Sequence, residues 1–171
     1  MIIRLTEKLR RKIKAPKLEY HRPDEDNPFS DWTSHLFTAK RVQYIIFTHS
    51  ISLYSVVMYG KGIADESSYT SRVLDELCKF MIDDRREHIY RLRIAPAAAT
   101  VQFSKTGDKR VLGSINDMVF LAKVNMIEGN LPPYDVSFKL NDTPFSILDY
   151  HIPAKEIDNL FIESIREKIQ K

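Results

Sequence analysis

The sequence predicts a single α+β domain, spanning residues 1–171, with a mainly antiparallel sheet. The chain is 43% hydrophobic and 29% charged, which is the balance of one globular domain with its own core. Two runs rich in β-branched and aromatic residues, 42–48 and 52–59, are separated by a short link, which indicates an antiparallel hairpin. Helical patterns lie on either side of these runs, as is typical of α+β proteins.

The first elements are a short strand over 1–5 and a short helix that Thr6 caps. Pro16 ends this helix, and the prolines and acidic residues of 15–31 predict a surface loop. The apolar residues that recur every four positions place one face of the helix against the core: Leu5, Leu9 and Ile13.

The middle of the chain begins with a further strand over 35–40, ahead of the hairpin. After two glycines, Ser67 or Ser68 is expected to cap a helix. Residues 83–93 fit an exposed helix without requiring one, and 99–103 alternate as a strand does. The second helix buries one apolar face: Tyr69, Val73, Leu74, Leu77, Phe80 and Met81.

In the last third, Ser114 and Asp117 have the spacing of a capping box. They predict a central buried helix over about 115–128, which Gly129 would end. Two strands, 134–140 and 145–148, are expected around a turn at Asn141 and Asp142. A C-terminal amphipathic helix, 154–170, follows Pro153.

Basic residues are concentrated at the N-terminus. Residues 1–17 contain seven lysines and arginines and a single glutamate, although the net charge of the whole chain is only +3. Such a patch can attract polyanions, and the alternative, which the pattern favours, is the solvated face of a helix. The candidates for a nucleic-acid contact are Lys8, Arg10, Arg11, Lys12 and Lys14.

Several classes of protein are disfavoured. The chain has no phosphate-binding P-loop, dinucleotide fingerprint, zinc-protease motif or nucleophile elbow, and no cofactor is expected. Its five histidines lack metal-ligand spacing, so no metal site is expected. No apolar run is long enough to span a membrane. A single cysteine, Cys78, in an apolar helical pattern favours a buried thiol and a cytoplasmic protein.

The segment 105–117 is the first candidate for binding chemistry, because a helix start exposes free N–H groups and a partial positive charge. A phosphate or carboxylate would be held there by a basic side chain and backbone donors. The alternative is a capped helix whose turn residues serve only structure. The candidate residues are Arg110, Gly113, Ser114 and Asn116.

Trp32, His35 and Arg41 form a second constellation. Trp32, the only tryptophan, follows a polar loop and would be either a lid or a packing anchor. His35 is a candidate general base near neutral pH, or a histidine with a structural role. Arg41 at a strand end is either an anion clamp or a salt-bridge donor.

The sequence also resembles a bacterial domain family of unknown function over about residues 1–128. The family's tryptophan segment usually has histidine and asparagine where Thr33 and His35 stand here, so no catalytic histidine is carried over. The resemblance implies a bacterial or phage-type cytoplasmic protein and no particular chemistry. It rests on three stretches: Met1–Leu9, the Trp32-x-x-His35-Leu segment that leads through Arg41 to Ile46–Thr48, and Arg110–Asp117.

Three functions therefore stay open. A small binding protein would hold nucleic acid or an acidic protein with its basic N-terminal helix. A metal-independent hydrolase acting on RNA or a nucleotide would use His35 as acid and base, with Arg41 and Arg110 stabilising phosphate. A protein-interaction role would use an edge strand or the last amphipathic helix.

Overall fold

The computed structural model describes residues 1–169, and side chains as far as residue 167. It forms one α+β domain around a five-stranded mixed sheet, in the order β4-β3-β2-β1-β5. The strands are β1 (Ile2–Leu5), β2 (Asp31–Ala39), β3 (Val42–His49), β4 (Ser55–Tyr59) and β5 (Gln102–Lys105).

Seven α-helices accompany the sheet within these residues, some of them only a single turn long. In the described part of the chain, no helix is both long and apolar enough to cross a membrane. The helices are α1 (Glu7–Lys12), α2 (Glu66–Asp83), α3 (Glu87–Ile89), α4 (Ala95–Ala98), α5 (Lys109–Ile127), α6 (Pro133–Asn141) and α7 (Pro153–Ile169).

The sheet combines an antiparallel meander with two parallel pairings. The strands β2, β3 and β4 pair antiparallel in sequence order, whereas β1 lies parallel to both β2 and β5. The predicted hairpin is β3–β4, although its second strand begins only at Ser55. The strand expected over 35–40 begins earlier, at Asp31, directly after a 3₁₀ turn at Pro28–Ser30.

Alternate residues of the strands pack into two separate hydrophobic clusters, one on each face of the sheet. One cluster joins Ile3, Trp32 and Phe47 to α1, α2 and α7, and it includes the predicted Leu5, Leu9 and Ile13. The second cluster lies beneath α5 and α6. Its helical members are Val111, Ile115, Met118, Val119, Ala122, Met126, Val136 and Leu140.

Helix α6 replaces one of the two strands expected near the C-terminus, and it covers an open sheet edge. The Asn141 side chain accepts a bond from the Ser55 N–H and donates one to the Ser55 carbonyl, both at 2.8 Å. One turn earlier, Ser137 Oγ accepts a bond from the Val57 N–H at 2.8 Å. These side chains satisfy backbone groups of edge strand β4 that would otherwise have no partner. The strand prediction for 134–140 is therefore wrong, and 145–148 forms a 3₁₀ turn at Ser146–Leu148.

Helix α5 begins earlier than the predicted cap at Ser114. Asp108 is the N-cap, and its carboxylate accepts a bond from the Arg110 N–H at 2.8 Å. Ser114 lies inside the helix, where its hydroxyl bonds to the Arg110 carbonyl. At the other end of α5, the left-handed residue is Asn130, with φ 50°, and not Gly129. The outer side of the helix is open, since Phe120 is 67% exposed.

The remaining boundaries shift less. Helix α2 is capped by Asp65, with Ser68 completing the capping box, and its predicted face is buried except for the partly exposed Leu74. The ambiguous stretch 83–93 is helical over most of its length, including a π-helical turn at Tyr90–Ile94. The final helix matches its prediction to residue 169, and residue 170 lies outside the described residues.

Candidate functional site

A row of buried polar side chains crosses all five strands on the face beneath α5. The register places Ser104, Arg4, Thr33, Thr48 and Ser55 side by side, each from a different strand. All five are less than 10% exposed. Buried polar groups are costly unless they are hydrogen-bonded, so this row indicates either a bonded network or a site.

Arg4 forms a buried ion pair with Asp31. Its Nε lies 2.9 Å from Asp31 Oδ1, and its Nη2 lies 2.6 Å from Oδ2, so the two groups meet in a two-point contact. Arg4 also donates to the Ser104 hydroxyl and to the His21 carbonyl. This geometry fixes the guanidinium, because burial of an arginine is tolerated only when a paired acid and further acceptors surround it.

Two hydroxyl groups extend this network from Asp31. Ser50 Oγ donates to Asp31 Oδ1 at 2.7 Å, which uses its only hydroxyl hydrogen. The 3.1 Å contact between Thr33 Oγ1 and Ser50 Oγ must then be donated by Thr33. The lone pairs of Thr33 Oγ1 accept no hydrogen bond from the residues that the structure describes.

A cavity of about 510 Å³ opens directly above these groups. Arg4, Asp31, Thr33 and Ser50 form its polar floor, and the start of α5 forms one wall through Val111 and Leu112. Apolar surface predominates, which is typical of a ligand cavity with a few fixed polar groups. The mouth is acidic and carries Asp24, Glu25 and Asp108.

Tyr20 and Gly107 shape one side of this cavity. The Arg4 guanidinium lies over the Tyr20 ring, 4.9 Å from its centre. A Cβ atom added at Gly107 would clash with Tyr20 Cε2, so the loop approaches the ring this closely only with glycine there.

His49 anchors the floor from behind. One ring nitrogen, Nε2, lies 2.8 Å from the Pro28 carbonyl and must carry the hydrogen, since a carbonyl only accepts. The other, Nδ1, accepts the Ser52 N–H at 3.2 Å. Burial lowers the pKa of His49 to about 4, outweighing the opposing effects of the Pro28 carbonyl and the Asp31 charge. A neutral His49 therefore ties the loop before β2 to the turn after β3.

Trp32 belongs to the core and not to a ligand site. It is fully buried, its indole N–H donates to the Phe29 carbonyl at 2.9 Å, and its ring stacks on Phe47 at 4.8 Å. Of the two roles considered for this residue, the packing anchor agrees with its position.

The four candidates on α5 do not converge. Arg110 is exposed and pairs with Asp108 at 3.3 Å, while Gly113 and Asn116 face solvent. Ser114 is turned inward and bonds within its own helix. What the segment contributes to the cavity is its first part, with Thr106, Gly107 and Asp108, together with the apolar side chains of the first helical turns.

The other predicted histidine and arginine lie toward the opposite end of α5. His35 is half-buried on β2, and burial lowers its pKa, with a further lowering by the charges of Lys8 and Lys123. Arg41 occupies the two-residue turn between β2 and β3, where it and Lys40 both have positive φ, 65° and 45°. Lys40 Nζ reaches the Ile127 carbonyl at the end of α5.

The basic residues of α1 divide into two groups. Arg10 and Arg11 both bind Glu7, and they lower the pKa of that carboxyl to about 2. Lys12 Nζ instead bonds to the Gln43 amide oxygen at 2.8 Å, next to the β2–β3 turn, and Lys8 lies near His35. Lys14 lies on another side, near Asp65, whose carboxyl pKa is lowered mainly by hydrogen bonds from Ser68 and to a smaller extent by the Lys14 charge.

Cations from three elements lie around His35 and the β2–β3 turn, and we call this group the basic face. In the part of the chain that the structure describes, none of its members forms an ion pair. The basic face consists of Lys8, Lys12, Lys40, Arg41 and Lys123.

Arg110 and His35 are separated along α5. The influence of Lys123 on His35 places that histidine beside the second half of the helix, thirteen residues after Arg110. At 1.5 Å per residue this separation is roughly 20 Å. Arg110 therefore lies at the cavity end of α5 and does not share a site with His35 and Arg41.

Sequence reasoning did not select Arg4, Thr33 or Ser50. A usable signal was present, because Arg4 interrupts an apolar strand, Ile2-Ile-Arg-Leu5, and a charge in a buried strand requires a partner. The partner, Asp31, is remote in sequence, and only the parallel pairing of β1 with β2 brings the two together.

No group of three or more histidine, cysteine, aspartate or glutamate side chains among residues 1–169 is arranged to hold a metal ion. In comparisons with known proteins, the model of the family described as Domain of unknown function (DUF6933) matches residues 2–156. No curated protein and no solved structure matches the chain.

Proposed function

The chain belongs to the DUF6933 family, and we propose that it is a binding protein that holds nucleic acid on its basic face. The observation that carries this proposal is the presence of unpaired cations from α1, the β2–β3 turn and the end of α5 around His35 and that turn. Each cation that replaces a counterion near a phosphate contributes to affinity for a nucleic-acid backbone.

The contacts of this surface support a prearranged site. Lys12 and Lys40 are held by bonds to Gln43 and to the Ile127 carbonyl, so part of their side-chain freedom is already lost before binding. The lowered pKa of His35 keeps its ring neutral near pH 7, which leaves it able both to donate and to accept a hydrogen bond.

An acidic protein is the alternative partner. Protein interfaces are usually built around an apolar or aromatic centre from which charged residues are depleted. The centre of the basic face is instead a histidine flanked by Lys8 and Lys123. This composition favours a repeating anionic backbone over a folded acidic surface.

The test is a salt series of binding measurements with labelled single-stranded and duplex oligonucleotides. We expect affinity to fall linearly with salt on logarithmic axes. In the variant Lys8→Glu/Arg41→Glu, loss of two phosphate contacts should lower the slope by about 1.4 to 1.8 and weaken binding at low salt at least about tenfold.

A matched control is Lys155→Glu/Arg166→Glu. It makes the same two charge changes at exposed positions of α7, which contributes no residue to the basic face. This control should bind nearly as the parent protein does. Absence of oligonucleotide binding at low salt, or equal weakening by the control, would refute the proposal, and binding of polyglutamate alone would favour an acidic protein partner.

The hydrolase alternative can be examined in the same samples. His35 lies in the middle of β2 and Arg41 in the turn that follows it, whereas Arg110 lies at the other end of α5 and would not assist them. If the parent protein shortens the oligonucleotides and the variant His35→Ala does not, the result would favour the hydrolase. Intact oligonucleotides after prolonged incubation would favour binding alone.

We further propose a cytoplasmic location in a bacterial or phage setting. The support is compositional: one half-buried cysteine, Cys78, leaves no second thiol for an internal disulfide. Fractionation of the native host, with the protein found outside the soluble cytoplasmic fraction, would contradict this location.

A further inference from the structure

The cavity at the start of α5 contains no residue of the basic face, and the proposal of nucleic-acid binding makes no use of it. Its volume of about 510 Å³ falls in the range of small-molecule sites. The walls are the start of α5 on one side and the loop 20–28 on the other, and Arg4 holds this loop by donating to the His21 carbonyl.

The unused hydrogen-bonding capacity of the floor is mainly that of acceptors. Thr33 is 3% exposed and uses its hydrogen on Ser50, so both lone pairs of its oxygen stay open. The Asp31 carboxylate accepts four bonds, three from Arg4 and one from Ser50, which occupy its lone pairs. One N–H of Arg4 Nη1 has no acceptor among the described residues. The floor therefore suits a ligand that chiefly donates hydrogen bonds.

The charge at the mouth points in the same direction. The charges of Arg4 and Asp31 cancel at the floor, which leaves Asp24, Glu25 and Asp108 around the opening. Asp108 shares a 3.3 Å contact with the exposed Arg110. Burial lowers the pKa of the N-terminal ammonium group, and the charge of Asp24 opposes this by raising it. Glu25 forms no ion pair within the described part of the chain. The mouth is thus net negative, and the apolar walls would exclude water from a bound cation.

We propose that this cavity binds a small organic cation, with an amine or guanidinium group at the acidic mouth and an apolar body against Val111 and Leu112. A hydroxyl or amide N–H at the far end of the ligand would donate to Thr33 Oγ1. Tyr20, stacked beside Arg4, would cover the apolar body.

The experiment uses three ligands of one shape: tyramine, its alcohol analogue tyrosol and its carboxylate analogue hydroxyphenylacetate. Agmatine adds an aliphatic guanidinium. Calorimetric titration and thermal shift with the full chain should show binding of tyramine, at least about tenfold weaker binding of tyrosol, and no binding of the carboxylate. The proposal would be overturned if the neutral or anionic analogue bound as tightly as tyramine or more tightly. It would also be overturned if neither tyramine nor agmatine bound.

Two variants assign the site. Glu25→Gln at the mouth and Thr33→Val at the floor should each weaken tyramine binding about five- to tenfold, the loss expected for one charge or one hydrogen bond. Their matched controls are Asp142→Asn and Thr38→Val, which make similar changes at exposed positions outside the cavity. Controls that weaken binding as much as the site variants would overturn the assignment.

The Glu25 variant changes an exposed side chain and should fold normally, so the proposal stays testable even if Thr33→Val is unstable. Both site variants should bind oligonucleotides as the parent protein does. Failure of the cation proposal and failure of the nucleic-acid proposal are therefore distinguishable.

Discussion

Acidification is expected to destabilise the fold through His49, because this buried ring must be neutral in the native state. Its pKa is lowered from 6.5 to about 4 by burial. The unfolded chain, with the ordinary pKa, therefore binds more protons between about pH 4 and pH 6.5. Stability falls as the pH decreases through this window, and the contribution is fully present only above pH 6.5.

The magnitude follows from the size of the shift. At about 1.4 kcal/mol per pKa unit, the neutral state of His49 accounts for about 3 kcal/mol between the ends of the window. This is a large fraction of the stability of an ordinary domain. Urea unfolding at several pH values, followed by the fluorescence of the buried Trp32, would measure it.

The control is His49→Gln, whose amide can still donate toward the Pro28 carbonyl but does not titrate. The free energy of unfolding of this variant should depend less on pH than that of the parent, by about 3 kcal/mol between pH 7.5 and pH 4. Other acidic groups titrate in both proteins and cancel in the comparison. Parallel pH curves for the two proteins, or a histidine NMR signal of His49 that titrates near pH 6.5, would refute the reasoning.

Three further substitutions test other parts of the account. Arg41→Gly should raise the free energy of unfolding by about 1 kcal/mol, and with it the melting temperature, because glycine adopts a positive φ without strain. The same variant should bind oligonucleotides more weakly. A destabilised variant would contradict the turn geometry. Asn141→Leu should cost about 2 to 5 kcal/mol in urea unfolding, since both backbone groups of Ser55 lose their partner; a loss below 1 kcal/mol would mean that α6 does not protect this edge. Gly107→Ala should displace the Tyr20 ring and weaken tyramine binding several-fold while the melting temperature changes little; unchanged affinity would remove Tyr20 from the cavity wall.

Elements with strong local signals were predictable. The face of α2 and the four-residue spacing of Ile157, Phe161 and Ile165 in α7 identify helices whatever the rest of the chain does. The strand prediction for 134–140 is wrong because two patterns overlap there. Val136-Ser-Phe-Lys-Leu140 alternates between apolar and polar residues as a strand does, but its apolar residues Val136 and Leu140 are also four positions apart, as on one face of a helix. Pro133 at the first helical position was the local signal that favoured the helix.

The candidate site was less predictable because its parts meet only through the sheet. Arg4 and Asp31 are 27 positions apart, and their contact depends on the parallel pairing of β1 with β2, which no local pattern specifies.

The basic face was predictable in part. Lys8 and Lys12 were visible as charges on a short helix, whereas Lys40 and Lys123 join them only because α5 runs along β2 toward the turn.

The most direct test of the nucleic-acid proposal is an NMR titration of the isotope-labelled protein with a short oligonucleotide at low salt. The proposal predicts that amide signals shift in α1, at Lys40 and Arg41 and around Lys123, while signals of α7 and of the cavity wall at Val111 and Leu112 stay in place. Shifts confined to α7 or to the cavity, or no shift at saturating oligonucleotide, would contradict it.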